Sequence, residues 1–264
     1  MCFAFDARPP ELPADLRLPP LAGGAGAEVL ELTSADGTAF SAAIAESPQP
    51  GGGPGVIILP DVRGLYRFYI ELAERFAEAG HHAIAIDYFG RTAGTGPRDE
   101  DFDWRPHVEQ TRVVQVQADT DAARAALAER TGATSFVTVG FCFGGMQSFL
   151  AGTSPELMLD GVVGFYGLLT PFRPGMPSVL DAATQMRCPV LGLFGGADQA
   201  IPAEQVEEFD RRLDEAGVDH EIVVYPGAPH SFFDRSYEEH AGASSDAWRR
   251  VLGFLDKVAA ARTA

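Results

Sequence analysis

The amino-acid sequence predicts an α/β fold in which a mostly parallel, doubly wound sheet of about eight strands carries helices on both faces. Short apolar runs alternate with longer helical patterns from Val56 onward, as in a parallel sheet built from β–α–β units. Two β-like runs around Asp36-Gly37 predict an antiparallel hairpin before them. The 264 residues, 46% of them hydrophobic, suit one large domain over 1–264.

The first elements follow from local patterns. Residues 1–27 are rich in Pro, Gly and Ala and predict an irregular lead-in to the hairpin. The apolar run VIILP predicts a buried strand. The next stretch, RFYIELAERFAEAG, has the apolar spacing of a helix that ends at Gly80, and HAIAIDYFG predicts the strand after it.

The remaining elements alternate in the same way. The stretch from Phe89 to about Pro106, rich in Gly, Pro and Asp, predicts a long loop that is functional or mobile. A long amphipathic helix is predicted at VEQTRVVQVQADTDAARAALAER, followed by the strand SFVTVGF and the helix GGMQSFLAG. Two strands, a helix, a strand and a closing helix complete the chain, at DGVVGFYG, CPVLGLFGG, AEQVEEFDRRLDEAG, HEIVVYPG and SSDAWRRVLGFLDKVAA.

The net charge of −17 limits the classes of partner. A negative field repels phosphate backbones and anionic lipids, so we expect neither a nucleic-acid partner nor a membrane-surface one. Cys2, Cys142 and Cys188 lack the spacing of a zinc site and do not suggest a disulfide framework, which favours a reducing compartment. Because the chain has no secretory signal and no apolar stretch of membrane-spanning length, we expect a cytoplasmic protein. Monomer and homodimer both occur on such a fold, and no surface pattern in the sequence decides between them.

The motif GFCFGG stands between a predicted strand and a predicted helix. Its first five residues, starting at Gly140, place Cys142 as the central residue of a glycine–x–nucleophile–x–glycine pattern. In such an elbow the nucleophile lies at a strained apex, and side chains at the flanking glycines would collide with the neighbouring strand and helix. The N–H of Phe143 then points toward a developing oxyanion. Taken alone, the motif is also compatible with an inert buried cysteine.

An acid and a histidine follow the cysteine in the order that an elbow enzyme requires. Asp198 comes just past one apolar strand, in GLFGGADQAIP, and His230 comes just past the last strand, in YPGAPHSFFD. Taken singly, Asp198 could cap the next helix and His230 could lie in a surface loop. The ordered set predicts a triad in which His230 takes the thiol proton of Cys142 and Asp198 fixes the histidine tautomer.

The sequence resembles the dienelactone hydrolase family, the carboxymethylenebutenolidase-like branch of the α/β-hydrolase fold. The resemblance extends from about Val29 to Val258 and rests on VIILPDVRGL, GHHAIAIDYFGR, GFCFGG, FGGADQAIP and PGAPHSFF. It implies an α/β-hydrolase fold, hydrolysis of a small-molecule lactone or ester, and no metal or organic cofactor. It also places Cys142, Asp198 and His230 on the triad positions of the family.

The resemblance implies further roles for two residues after the VIIL strand. Val62 falls where a second backbone N–H completes the oxyanion hole with that of Phe143. Asp61 falls where dienelactone-cleaving members carry a glutamate that holds the resting thiol. A carboxylate beside a thiol disfavours the thiolate by like-charge repulsion, and Asp61 is one methylene shorter than that glutamate. Asp61 could instead order the PDVRG turn.

A second departure from the family concerns the substrate. Members that take the anionic dienelactone carry a pocket arginine four residues after the triad histidine, whereas position 234 here is Asp and Arg235 follows it. We therefore expect substrate contacts from Arg235, and from Trp104, Arg105 and Phe232. The alternative is a more apolar pocket lined by aromatic residues, at Phe89, Phe102, Trp104, Phe143, Tyr166, Phe172 and Phe232.

The sequence as a whole predicts a hydrolase that cleaves a small lactone or carboxylic ester through a cysteine nucleophile. Two alternatives from other classes stay open. A thiol redox protein or peroxidase would use Cys142 without needing Asp198 or His230. A non-catalytic ligand-binding protein of the hydrolase fold would usually have lost a triad member, and the sequence retains all three.

Overall fold

A computed structural model of the protein describes residues 7–18, 26–48, 50–234 and 236–263. A sheet of eight strands forms its centre. In chain order the strands are β1 Ala27–Thr33, β2 Ala39–Ala45, β3 Gly55–Leu59, β4 Ala83–Ile86, β5 Phe136–Phe141, β6 Gly161–Phe165, β7 Val190–Gly195 and β8 His220–Tyr225.

The spatial order of the strands is β1-β2-β4-β3-β5-β6-β7-β8. The pairs β1–β2 and β2–β4 are antiparallel, and the remaining pairs are parallel. Between β1 and β2, Gly37 adopts a φ of 82°, a left-handed conformation that glycine reaches without steric cost. This topology confirms the predicted fold class, a mostly parallel sheet preceded by an antiparallel hairpin.

Eight α-helices are found in the described residues. The long ones pack against the sheet, for instance α1 on β2 and β4, and α5 on β5 and β6. Two 3-10 turns, Pro155–Leu157 and Ala183–Gln185, complete the connections. The helices are α1 Arg67–Glu78, α2 Gly90–Ala93, α3 Arg105–Val108, α4 Val113–Thr131, α5 Phe143–Ala151, α6 Val179–Ala182, α7 Ala203–Ala216 and α8 Ala241–Thr263.

Two sequence predictions need correction in the region before α4. The stretch from Phe89 to Pro106 is not one irregular loop, because it contains α2 and the start of α3, where a proline in the first turn favours helix initiation. The long helix expected from Val108 begins only at Val113. Arg112 has an extended backbone, with φ −115° and ψ 143°, so α3 and α4 are separate helices.

The central strands explain where a site can form. Every residue of β3 to β7 is buried, as expected of parallel strands covered on both faces. Parallel strands run in one direction, so the segments after β3, β5, β7 and β8 all emerge at the carboxyl edge of the sheet. The predicted catalytic residues lie in these segments. In the described part of the chain, no helix has both the length and the apolar character needed to cross a membrane.

Candidate active site

Cys142 occupies a strained turn between β5 and α5. Its backbone has φ 55° and ψ −113°, a conformation that costs free energy for any residue with a Cβ. Hydrogen bonds hold it on both sides: its N–H donates to the Phe165 carbonyl at 3.0 Å, and its carbonyl accepts from the Met146 N–H at 3.1 Å. This geometry is the nucleophile elbow that the GFCFGG motif predicts.

The glycines of the motif are required by close backbone contacts. A Cβ on Gly140 would lie 2.0 Å from the carbonyl oxygen of Gly144. A Cβ on Gly144 would lie 2.0 Å from the carbonyl oxygen of Leu59 and 2.2 Å from that of Pro60. Backbone atoms cannot yield as flexible side chains do, so only glycine fits at either position. The elbow therefore presses α5 directly against the end of β3.

Asp198 and His230 meet at the same edge of the sheet. The Nδ1–H of His230 donates to Oδ2 of Asp198 at 2.6 Å, and the Asp198 carboxylate is almost fully buried. The other oxygen, Oδ1, accepts from the Ala200 N–H at 2.8 Å. This pair of bonds fixes the carboxylate, and the carboxylate in turn fixes the histidine tautomer and ring orientation.

The electrostatics of His230 connect it to the cysteine. Burial disfavours the charged ring, but hydrogen bonds to Asp198 and to Cys142 outweigh burial and raise the pKa of His230 to about 10. The structure thus brings the cysteine, the histidine and the aspartate into one hydrogen-bonded chain. Chemically, such a chain can hold a proton on the imidazole while sulfur carries negative charge.

The two amides expected to bind an oxyanion lie beside this chain. Phe143 is the first residue of α5, where backbone N–H groups have no partner within the helix. Val62 follows the Leu59–Pro60 carbonyls that contact Gly144. The Val62 segment therefore runs alongside the first turn of α5. Donation by these two N–H groups to a substrate oxygen stays a prediction.

Asp61 is fully buried and orders the turn after β3. Its Oδ1 accepts from the Arg63 N–H at 2.9 Å, its carbonyl accepts from the Gly64 N–H at 3.1 Å, and its Oδ2 lies 3.6 Å from the Arg63 guanidinium. An aspartate that bonds the N–H two residues on is a common turn former. This supports the turn-ordering interpretation of Asp61, while its predicted role in holding the Cys142 thiol is not tested by these contacts.

Sequence reasoning missed a buried pair behind the histidine. The Tyr166 hydroxyl donates to Oδ2 of Asp234 at 2.9 Å, and the Tyr166 ring centroid lies 4.9 Å from that of His230. Both partners are buried, and burial followed by the Asp234 charge raises the pKa of Tyr166 far above its usual value. Tyr166 also has a φ of 37°. The sequence had drawn attention to each position for another reason, but no motif links positions 166 and 234, so their hydrogen bond could not be predicted.

The predicted substrate-binding residues lie in different surroundings. Arg105 is 66% exposed, and its guanidinium lies 4.9 Å from the Trp104 ring centroid and 3.6 Å from Asp103. Phe232 has no exposed surface, and its ring packs against that of Tyr166. The predicted contact from Arg235 lies outside the described residues. Contact of any of these four with a substrate stays a prediction.

Other arginines near the carboxyl edge are paired with carboxylates. Arg91 bonds Asp119 and Asp36, each at 2.7 Å, and Arg98 bonds Asp87 at 2.7 Å. A cavity of about 890 Å³ opens next to Tyr88. The residues lining it are Tyr88, Arg91, Thr92, Glu109, Gln110, Thr111, Arg112, Val113, Val114, Gln115, Arg173, Gly175, Met176 and Pro177.

Tyr88 lies beside both this cavity and the residues next to the elbow. Its hydroxyl donates to the Pro60 carbonyl at 2.8 Å, and its ring lies 5.6 Å from that of Phe143. The buried Tyr88 thus both lines the cavity and contacts the segments that form the elbow. Arg173, which also lines the cavity, donates to the Thr111 carbonyl at 2.6 Å.

Comparison with known proteins places this geometry in a family. Residues 40–259 match the model of the dienelactone hydrolase family. A candidate carboxymethylenebutenolidase of Escherichia coli O157:H7 is 34% identical over 215 residues, which is 76% of each chain. A candidate 2-oxo-3-(5-oxofuran-2-ylidene)propanoate lactonase of Bradyrhizobium is 27% identical over 220 residues, or 76% of this chain and 83% of the relative.

A solved structure agrees with the sequence matches. The crystal structure of a candidate dienelactone hydrolase from Klebsiella pneumoniae has a TM-score of 0.74 and 28% sequence identity, and it covers 87% of this chain and 99% of its own. The eight-stranded sheet, the elbow after β5 and these matches agree on the α/β-hydrolase fold. The chain belongs to the dienelactone hydrolase family, and it is a hydrolase.

Proposed function

We propose that this hydrolase cleaves a small lactone or carboxylic ester with Cys142 as nucleophile, His230 as acid and base, and Asp198 as the residue that orients His230. The observation that carries the proposal is the hydrogen-bonded chain from Cys142 through His230 to Asp198, with its 2.6 Å bond and a His230 pKa of about 10. A protonated imidazole beside sulfur is the arrangement that activates a thiol at neutral pH.

In the first step the sulfur of Cys142 attacks the carbonyl carbon of the substrate. The carbonyl oxygen becomes negative and accepts hydrogen bonds from the N–H groups of Phe143 and Val62. The carbon–oxygen bond of the ester then breaks, and His230 gives its proton to the leaving oxygen. In a lactone the leaving oxygen stays attached to the acyl chain, so no fragment departs at this stage.

In the second step water attacks the thioester carbon. The now neutral His230 takes a proton from that water, and the same two amides stabilise the oxyanion. The carbon–sulfur bond breaks, the acid leaves, and Cys142 and His230 return to their charged resting forms. In sum, one water is consumed for each ester bond cleaved.

The names of the relatives point to unsaturated lactones as the first substrates to try. One relative carries the name of a carboxymethylenebutenolidase and another that of an oxofuranylidene-propanoate lactonase. Both names describe five-membered lactones with a conjugated, carboxylate-bearing side chain. For this chain, the aspartate at position 234 and the carboxylate partners of Arg91 and Arg98 argue against a strong anion clamp. A neutral ester therefore belongs in the same assay.

The test compares 4-carboxymethylenebut-2-en-4-olide with a neutral short-chain aryl ester, using wild type, Cys142→Ala and the matched control Cys188→Ala. We expect wild type and Cys188→Ala to hydrolyse at least one substrate and Cys142→Ala to hydrolyse neither. Preference for the anionic lactone would assign an arginine clamp, and preference for the aryl ester would assign an apolar pocket. If Cys142→Ala matched wild type on both substrates, the cysteine mechanism would be wrong.

We also propose that Asp61, in addition to ordering its turn, makes the Cys142 thiol less reactive because its carboxylate disfavours the thiolate. If it does, Asp61→Asn should be alkylated by iodoacetamide faster than wild type at equal pH, because a neutral amide no longer repels the thiolate. An unchanged alkylation rate would leave Asp61 with the turn alone. A thiol nucleophile also needs protection from oxidation, so we infer a cytoplasmic site of action.

A further inference from the structure

A second cluster of chemically active side chains lies away from the candidate active site, where β8 begins. His220 is the first residue of β8, and Asp210 and Asp214 are one helical turn apart on α7. The His220 Nε2 lies 3.2 Å from Oδ1 of Asp210 and 3.9 Å from Oδ1 of Asp214. One donor atom from each residue falls within 4.8 Å of the other two.

The other ring nitrogen of His220 fixes the tautomer. Nδ1 lies 2.7 Å from the carbonyl oxygen of Val218, and a carbonyl only accepts hydrogen bonds, so Nδ1 carries a hydrogen. In the neutral ring Nε2 then has a lone pair, which faces two carboxylates that also only accept. An imidazole whose far N–H donates to a backbone carbonyl is the arrangement that orients metal-binding histidines.

The position of the two aspartates adds an electrostatic reason for a cation. Asp214 lies in the last turn of α7, where the helix dipole disfavours negative charge and where no basic residue stands. Like charges four residues apart on a helix also repel. The nearby Arg211 is bonded to Glu208 and Glu215, so its charge is already shared with other carboxylates.

We propose that Asp210, Asp214 and His220 bind a divalent transition-metal ion such as Zn²⁺. One imidazole nitrogen with two carboxylate oxygens suits Zn²⁺ or Co²⁺, whereas Mg²⁺ and Ca²⁺ take oxygen ligands alone. Donor atoms about 2.1 Å from one ion can lie up to about 4.2 Å apart, and both distances to Nε2 are within that limit. The aspartates are 50% and 76% exposed, so they can turn toward the ion, and water can complete its coordination.

The ion would cross-link α7 and β8, two consecutive elements that residues 217–219 connect. It would tie the carboxyl end of α7 to β8, the outer strand of the sheet, whose far end leads into the His230 segment. The site is independent of the proposed hydrolysis, so ion binding should stabilise the fold and leave the triad unchanged. Its effect is therefore measured by binding and by thermal stability.

The experiment titrates Co²⁺ into tag-free protein that a chelator has freed of metal, and follows the visible absorption of the bound ion. Bonds from Co²⁺ to thiolate would add a charge-transfer band in the near ultraviolet, so binding by cysteines can be told apart from binding by histidine and carboxylates. We expect one equivalent to bind without that band. The same protein should show a higher melting temperature with saturating Zn²⁺ than with chelator.

Three variants decide the assignment. His220→Gln and Asp214→Asn should each weaken binding by more than the roughly tenfold loss that even an outer-shell change causes, and each should lose the metal-dependent rise in melting temperature. Asp214 is exposed, so its substitution leaves the fold intact. Asp219→Asn is the matched control, because this exposed aspartate adjoins His220 but does not belong to the cluster.

Equal binding by wild type, His220→Gln and Asp214→Asn would overturn the proposal, and so would the absence of one-equivalent binding in wild type. Loss of ester hydrolysis in the Cys142→Ala variant bears only on the active site, so the two proposals can fail separately.

Discussion

Two cysteines, Cys142 and Cys188, stand in opposite electrostatic surroundings within one fold. Both are almost equally buried, with 9% and 8% of their surface exposed. Cys142 lies at the carboxyl edge of the sheet, in a strained turn, bonded to His230. Cys188 lies at the amino edge, just before β7, where burial and then the charge of Asp160 raise its pKa to about 12.

Under the proposed mechanism, burial alone does not decide whether a cysteine reacts. A thiol in apolar surroundings keeps its proton because the thiolate has no compensating charge. Beside a protonated imidazole, the thiolate is stabilised by a positive charge with which it shares a hydrogen bond. Position in the fold makes the distinction. The two cysteines lie at opposite edges of the sheet, and His230 lies at the edge of Cys142.

The largest expected effect tests this comparison directly. Cys142→Ala should lower kcat/KM by roughly 10⁴- to 10⁶-fold, because the proposed nucleophile is removed. Cys188→Ala should leave kcat/KM unchanged and cost about 1 kcal/mol of unfolding free energy, the usual price of a small buried truncation. Steady-state kinetics and denaturant titration measure the two. A large loss of activity in Cys188→Ala would end the contrast between the cysteines.

The next largest effect concerns the partner that only Cys142 has. Asp198→Asn should lower kcat/KM by roughly 10²- to 10⁴-fold, because an amide no longer holds His230 in the required tautomer. Asp160→Asn is the matched substitution beside Cys188 and should leave kcat/KM unchanged. Kinetics of both variants on one ester give the answer, and equal activity of the two would remove Asp198 from the mechanism.

The backbone of the elbow can be tested without touching a reactive atom. Gly144→Ala should destabilise the protein by about 3 kcal/mol or more, since the new Cβ would stand 2.0 Å from the Leu59 carbonyl oxygen. Gly253→Ala, in α8, meets nothing within 4 Å and should stabilise the protein by about 1 kcal/mol. Denaturant unfolding measures both, and similar stabilities would contradict the close contact described for the elbow.

The pH dependence of stability should reveal the charged histidine. The pKa of His230 is about 10 in the folded protein against a usual value of 6.5. A raised pKa means that the protonated ring stabilises the fold fully below about pH 6.5, and that this stabilisation is lost as the pH rises through about 10. The difference in unfolding free energy between wild type and His230→Gln should shrink over this interval. A difference that stays constant would place the His230 pKa near its usual value.

The smallest expected effect refines the comparison around the histidine. Tyr166→Phe keeps the ring that packs on His230 but removes the hydroxyl that donates to Asp234. We expect a loss of about 1 to 3 kcal/mol in stability, because a buried carboxylate loses a donor. We expect kcat to fall by only a few-fold. Restoration of stability by the double variant Tyr166→Phe/Asp234→Asn would show that the lost bond, not the lost hydroxyl volume, is responsible.

Local patterns in the sequence predicted much of the fold and the candidate triad. The alternation of strands and helices was predicted from apolar runs and from helical spacing. A strand buried on both faces is a continuous apolar run, and a helix buried along one stripe has apolar residues at every third or fourth position. The elbow could also be predicted, because close backbone contacts, such as that of Gly144 with the Leu59 carbonyl, require its glycines. The break at Arg112 was not, because an extended residue between α3 and α4 has no sequence signal of its own.

The sequence by itself therefore determined the α/β architecture, the family, and the order of Cys142, Asp198 and His230 along the chain. Tertiary structure alone decided which side chains meet: Tyr166 bonds Asp234 from a segment far away in the chain, and Asp210 and Asp214 face His220 across the turn between α7 and β8. The physical reason is that burial and hydrogen bonding act through space. Periodicity and turn chemistry act within a few residues, so they reveal elements but not which side chains meet.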